Sequence, residues 1–134
     1  MTDKPLQGQT ILFTENEPLI LLDTSQKLRD AGADVLASAK VEETLALIRE
    51  NEISAAVLNV NLGDADCSEV YENLVERDVP VAIVTGYSEE EISQKWPKAA
   101  YIPKPARPDE LIEVLARLSV RSKQWPHPTG NAPL

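Results

Sequence analysis

The segment Thr10-Ile-Leu-Phe-Thr-Glu-Asn-Glu-Pro18 passes from a short apolar, β-prone run straight into a helix start, with proline in the first turn, where its missing N–H costs nothing. Strand therefore feeds helix without a loop of any length. Downstream, Leu21, Thr24, Leu28 and Ala31 recur at helical spacing while Asp23, Lys27 and Asp30 fall elsewhere, and Gly32 stands where helices commonly stop. The first unit is thus a strand followed by a one-sided helix.

The same alternation repeats along the chain. Asp34-Val-Leu-Ala37 reads as a strand, Val41, Leu45 and Ile48 as one helix face, and Ala55-Ala-Val-Leu58 as a fully apolar strand. Val70 and Leu74 mark a third helix, and Val79-Pro-Val-Ala-Ile-Val84 a further buried strand. Ser88 with Glu91 forms a capping box for a short helix that carries Ile92 and Trp96. Ala99-Ala-Tyr-Ile102 is the last strand, and Pro108 opens a final helix with Leu111, Val114, Leu115 and Leu118 facing inward.

Five strand-helix pairs in strict order predict a doubly wound α/β fold: a five-stranded parallel sheet, flavodoxin-like, between two helix layers, with right-handed crossovers. The expected organisation is an N-terminal extension over 1–8, one domain over 9–121 and a flexible tail over 122–134. That tail is rich in helix breakers and carries His127, the sole histidine, to which no catalytic role is assigned because no second ligand lies near it.

Composition narrows the function classes. With 22 acidic against 13 basic residues the net charge is −9, so phosphate backbones and anionic lipid surfaces are repelled and no nucleic-acid or membrane partner is expected. No apolar run of transmembrane length and no signal-like start are present, which predicts a soluble, cytoplasmic protein. Cys67 is the only cysteine, so neither an internal disulfide nor a cysteine zinc site can form within one chain.

In open α/β sheets the site forms beyond the C-terminal ends of the central strands. Those ends offer Glu15, Asn16 and Glu17, then Asn59 and Asn61, then Thr85 and Gly86, then Lys104 and Pro105. Four loops together carry a family resemblance from about Gln9 to Leu118. Ile11-Leu-Phe-Thr-Glu-Asn-Glu-Pro-Leu-Ile20, Ala56-Val-Leu-Asn-Val-Asn-Leu62, Val79-Pro-Val-Ala-Ile-Val-Thr-Gly-Tyr87 and Tyr101-Ile-Pro-Lys-Pro105 resemble, in order and spacing, the receiver domains of bacterial response regulators such as the chemotaxis regulator. The Val84-Thr-Gly-Tyr87 run is similar to a subgroup of single-domain receivers with a Phe-Ala-Thr-Gly-Tyr signature, with Ile83-Val84 replacing Phe-Ala.

The resemblance implies roles by position. Glu15 and Asn16 stand at the family's acidic pair, Asn59 at its phospho-acceptor aspartate, and Asn61 at the residue whose carbonyl meets magnesium. Thr85 stands at the phosphate-sensing hydroxyl, Lys104 at the phosphate-pairing cation, and Tyr101 at an aromatic switch, with Tyr87 and Trp96 on the same partner face. Two positions depart. A carboxamide at Asn59 has no anionic oxygen to attack phosphorus, and Asn16 removes a second carboxylate, leaving Glu15 alone. Magnesium prefers anionic oxygen, so Glu15, Asn59 and Asn61 are weak candidate ligands and no cofactor is expected.

Glu17 is expected as the acid of the first helical turn, and Lys104 is expected to pair with Glu15 and to reach the Asn59 carbonyl. Gly63 replaces the family's usual proline, and Asp64 and Asp66 read as solvated loop residues. The expected function is that of a degenerate pseudo-receiver in two-component (phosphorelay) signalling. It is not an enzyme, and with no output domain expected after Leu118 it acts by phosphorylation-independent protein binding. Its partner would be a sensor histidine kinase, another regulator or a second copy, docking on Ser88 to Trp96, Ala99 to Ile102 and the last helix. An exposed Trp96 would support that face, and a buried one would be ordinary core.

Two alternatives fit the same residues. One is an ordinary phosphorylatable receiver carrying an Asp-to-Asn change, which the native coding sequence distinguishes. The other is a small flavodoxin-like enzyme or cofactor binder, which visible absorbance distinguishes.

Overall fold

The computed structural model describes residues 4–63 and 65–124; His127, Asp64 and the tail beyond Gln124 lie outside them. The main sheet is made of β1 (Thr10–Thr14), β2 (Asp34–Ser38), β3 (Ala55–Asn59), β6 (Val81–Thr85) and β7 (Ala100–Pro103), all parallel, in the order β2-β1-β3-β6-β7. Its helices are α1 (Pro18–Asp30), α2 (Val41–Glu50), α3 (Ser68–Glu76), α4 (Glu89–Lys95) and α5 (Pro108–Gln124). Two residues each of β4 (Asn61–Leu62) and β5 (Ala65–Asp66) add a small antiparallel ladder ahead of α3.

The alternation of strand side chains divides the core in two. Leu12, Ala56, Leu58, Val81 and Ile83 face α2, α3 and α4, where Ile48, Val70, Leu74, Ile92 and Trp96 meet them. Ile11, Phe13, Ala55, Val57 and Ala82 face α1 and α5, where Leu28, Leu111 and Leu115 pack. Every residue of β3 is buried, as a central strand covered on both faces requires. Its last residue is Asn59, which delivers a polar side chain to the rim of an otherwise apolar layer.

Several local readings hold and others shift. Pro18 opens α1, and Ser88 with Glu91 forms the capping box of α4, each supplying the other's missing backbone partner. β6 starts at Val81, two residues after the expected Val79, because Pro80 has no N–H for the ladder. β7 runs one residue later than expected. α5 continues to Gln124, past the expected domain end at 121. Ser122, Lys123 and Gln124 do not break a helix, and the first proline after Pro108 is Pro126.

The N-terminal extension docks on the core through Leu6. Leu6 is 0% exposed and sits in the α1/α5 half beside Leu28 and Ala33, with its N–H donated to the Ala31 carbonyl at 2.8 Å. Gly32 lets this strap come close, since a Cβ at its φ of +105° would lie 2.8 Å from the Gln7 nitrogen.

Leu6→Ala should therefore destabilise the domain by about 2–5 kcal/mol in a denaturant titration, as core leucines do. Leu19→Ala, at a side chain that is 77% exposed, should change stability by less than ~0.5 kcal/mol. Equal effects at the two positions would refute the docked strap.

Candidate functional site

Four strand ends converge on one polar cavity of about 410 Å³, lined by Asn16, Asn59, Asn61, Thr85, Tyr87 and Lys104 among others. β1 and β3 are tied together at its floor, where the Asn59 backbone N–H donates to Thr14 Oγ1 at 3.0 Å. The structure thus brings together five of the six residues expected in the pocket. Glu15 is the sixth, and it turns away from this cavity.

The Asn59 side chain, 6% exposed, is held by its own amide. Nδ2 donates to Asn16 Oδ1 at 3.1 Å and to the Asn61 carbonyl at 3.0 Å. Both amide protons are therefore directed at acceptors that a carboxylate in the same place would face as like partial charges. The Asn61 carbonyl, which the resemblance offers to a metal, already accepts this amide proton. A carboxamide here links the loops after β1 and β3 without an ion.

Glu15 is buried and caps its own helix entry. Its Oε2 accepts the Glu17 N–H at 3.0 Å, satisfying a donor at the start of α1. Glu17 sits at the N-cap position of α1 and makes no side-chain capping bond, so the role expected of Glu17 falls to Glu15. Among the described residues no carboxylate lies within 4.0 Å of Lys104 Nζ, so the expected Glu15–Lys104 pair does not form. The local backbone donor wins because it is fixed two residues away, whereas a lysine must order a long chain to reach the same oxygen. Lys104 is instead placed through its backbone, its N–H donating to the Thr85 carbonyl at 2.9 Å, ahead of a cis bond to Pro105.

Thr85 is 3% exposed, and its Oγ1 accepts the Tyr87 N–H at 3.1 Å, which shapes the turn after β6. Tyr101, half-buried, donates its hydroxyl to the Tyr87 carbonyl at 2.7 Å. The Tyr87 side chain itself is 49% exposed. These three residues form one hydrogen-bonded chain from the cavity to the α4/β7 side.

Trp96 belongs elsewhere. At 4% exposure it is core, with its Nε1 donating to Ser68 Oγ at 3.1 Å and the Lys95 ammonium 5.1 Å above its ring. This burial corrects the placement of Trp96 on a partner-accessible face. Asp66 is not simply a solvated loop residue either. It accepts the Ser68 N–H at 2.9 Å and pairs with Lys95 at 3.4 Å, and the Ser68 backbone contact holds its carboxyl below the usual value. Sequence reading missed this Asp66–Lys95–Trp96 clamp between α3 and α4, although Asp two residues before a helix is a recognisable cap signal. Cys67, buried between these elements, has its thiol pushed up to about 12 by burial and is no nucleophile at neutral pH.

Residues 11–116 match the family model of the response regulator receiver domain. No curated protein matches the chain. Among solved structures, it is similar to a CheY-like receiver domain protein from Methanospirillum hungatei JF-1, with 26% identity and a TM-score of 0.77 over 87% of this chain and 97% of that one. A response regulator receiver protein from Sinorhizobium medicae WSM419 superposes with a TM-score of 0.78 at 23% identity, over 87% of this chain and 98% of that one. The receiver domain of a Pseudomonas aeruginosa PAO1 sensor histidine kinase, solved with magnesium in its active-site cleft, superposes at 0.73 with 22% identity, over 84% and 98% of the two chains. The chain belongs to the response regulator receiver family, the receiver modules of two-component signalling.

An Asn16→Asp, Asn59→Asp double variant should melt below the native chain in magnesium-free buffer at neutral pH, by about 1–3 kcal/mol of stability. Two donated hydrogen bonds are replaced there by facing acceptors. Magnesium should raise the melting temperature of that variant and leave the native chain unchanged. A double variant that melts higher without metal would contradict the amide-link reading.

Proposed function

We propose that this receiver acts in two-component signalling as a cytoplasmic, non-catalytic protein-binding module that is not phosphorylated. The observation that carries the reading is the Asn59 carboxamide, whose Nδ2 is committed to Asn16 Oδ1 and the Asn61 carbonyl. Phosphoryl transfer to a strand tip needs an anionic oxygen as nucleophile and a cation to neutralise the moving charge. The amide supplies no electron pair of comparable nucleophilicity, because its nitrogen lone pair is delocalised into the carbonyl.

The donor set does not fit magnesium. One carboxylate, Glu15, is engaged by the Glu17 N–H, and Asn16 and Asn59 contribute neutral amides, so nothing offsets the loss of the ion's tightly held waters. The magnesium in the cleft of the Pseudomonas aeruginosa receiver domain is thus not expected in this chain. With no metal and no phosphoryl group, signalling rests on contact. The partner is a protein of the same pathway, such as a sensor histidine kinase or another regulator, or a second copy of the chain.

Among the described residues, the large apolar side chains exposed for that contact are Leu19, Ile20 and Leu22 on α1 and Tyr87 beside the cavity. With Trp96 in the core, the expected α4/β7/α5 face keeps Tyr87 and Tyr101 as its aromatic contributors. Tyr87 connects both regions, because its carbonyl holds Tyr101 and its ring is open to solvent.

NMR titration with magnesium and beryllofluoride tests the reading. Amide shifts centred on Asn59, Thr85 and Lys104 should appear in the Asn16→Asp, Asn59→Asp variant and be absent from the native chain. Saturable shifts at those positions in the native chain would refute it.

A further inference from the structure

A second cavity, of about 450 Å³, opens between α1 and α5 on the other side of Asn59, and nothing in the phosphorylation-pocket reading uses it. Its walls are apolar, formed by Phe13, Val57 and Leu111. Three polar groups enter it with unused capacity. Glu15, 7% exposed, has only its Oε2 engaged, by the Glu17 N–H. Thr24, 6% exposed, makes no side-chain hydrogen bond among the described residues. Lys104 lines the same cavity and has no carboxylate within 4.0 Å among those residues.

Among the described residues Ser25 Oγ is the buried side-chain oxygen without a partner, so the unused oxygens of Glu15 and Thr24 stay within reach of solvent, and of a ligand, in this cavity. The cavity has the size of small-molecule sites, and it has their composition: mostly apolar lining with a few converging polar groups. Its charges decide what fits. An anion would meet Glu15 and a chain of net charge −9, and a bare cation would meet Lys104. A neutral apolar molecule would leave Glu15, Thr24 and Lys104 without partners.

We propose that this cavity binds a small zwitterion with an apolar side chain, that is, an aliphatic or aromatic α-amino acid. Its ammonium pairs with Glu15 and Thr24 Oγ1, its carboxylate pairs with Lys104, and its side chain packs on Phe13, Val57 and Leu111. Each end thereby gains a charge-assisted hydrogen bond. Because Lys104 also lines the polar cavity of Asn59 and Thr85, a ligand held here reaches the signalling pocket through that side chain.

The test is a ¹H–¹⁵N NMR titration of the full chain with L-leucine and L-phenylalanine, beside isocaproate, which lacks the ammonium, and isoamylamine, which lacks the carboxylate. At least one amino acid should give saturable shifts at Thr24, Ala106 and Leu111, and each truncated analogue should bind at least ~10-fold more weakly. Ala106→Phe, which fills the cavity, should abolish the shifts while the rest of the spectrum stays folded. Should that variant fail to fold, Glu15→Gln decides, with an expected loss of ~10-fold or more in affinity for the amino acid and no loss for isocaproate. No saturable shifts for either amino acid up to ~10 mM, equal affinity for all probes, or binding unaffected by the deciding variant would overturn the proposal.

Discussion

Two loops of this protein, those after β1 and β3, meet at one side-chain amide. Asn59 closes β3, the strand buried along its whole length, and its Nδ2 donates to Asn16 Oδ1 and to the Asn61 carbonyl while its backbone N–H donates to Thr14 Oγ1. Because β3 lies at the centre of the sheet, whatever stands at its tip sets the spacing of the loops after β1 and β3. A carboxylate in that place would repel its neighbours and call for a cation between them. The amide makes the same junction self-sufficient. Glu15 is then free to serve the start of α1, and among the described residues Lys104 has no carboxylate within 4.0 Å.

Most of the architecture was legible in the order of elements, because apolar periodicity and chain punctuation agree at each step. Pro18 at the start of α1, Gly32 after it, and the Ser88/Glu91 pair on α4 are local signals whose physics does not depend on distant contacts. Leu6 was not legible as core. A lone leucine in Lys4-Pro-Leu-Gln-Gly8 has no periodic companions, and its burial depends on Gly32 letting the strap approach. The β4–β5 ladder escaped for the same reason, since two residues on each side carry no period.

At the site, positions were legible and contacts less so. Asn16, Asn59, Asn61, Thr85 and Lys104 do line one cavity, because strand ends in a parallel sheet have nowhere else to converge. The direction in which Glu15 turns is another matter. It depends on competition between a backbone donor two residues away and a lysine supplied by a distant strand, and spacing alone does not rank the two. Trp96 lies four residues after Ile92, which puts both on the buried face of α4, and its placement outside came from the docking face implied by the resemblance and not from the spacing. Its hydrogen bond to Ser68 and the Lys95–Asp66 pair above it settle the choice.

The central claim is chemical: a strand tip ending in a carboxamide does not take up phosphate. Intact-mass spectrometry of the native chain after incubation with acetyl phosphate and magnesium tests it most directly. The account predicts an unchanged mass before and after hydroxylamine treatment. A magnesium-dependent gain of one phosphoryl group, removed by hydroxylamine as an acyl phosphate would be, would contradict it.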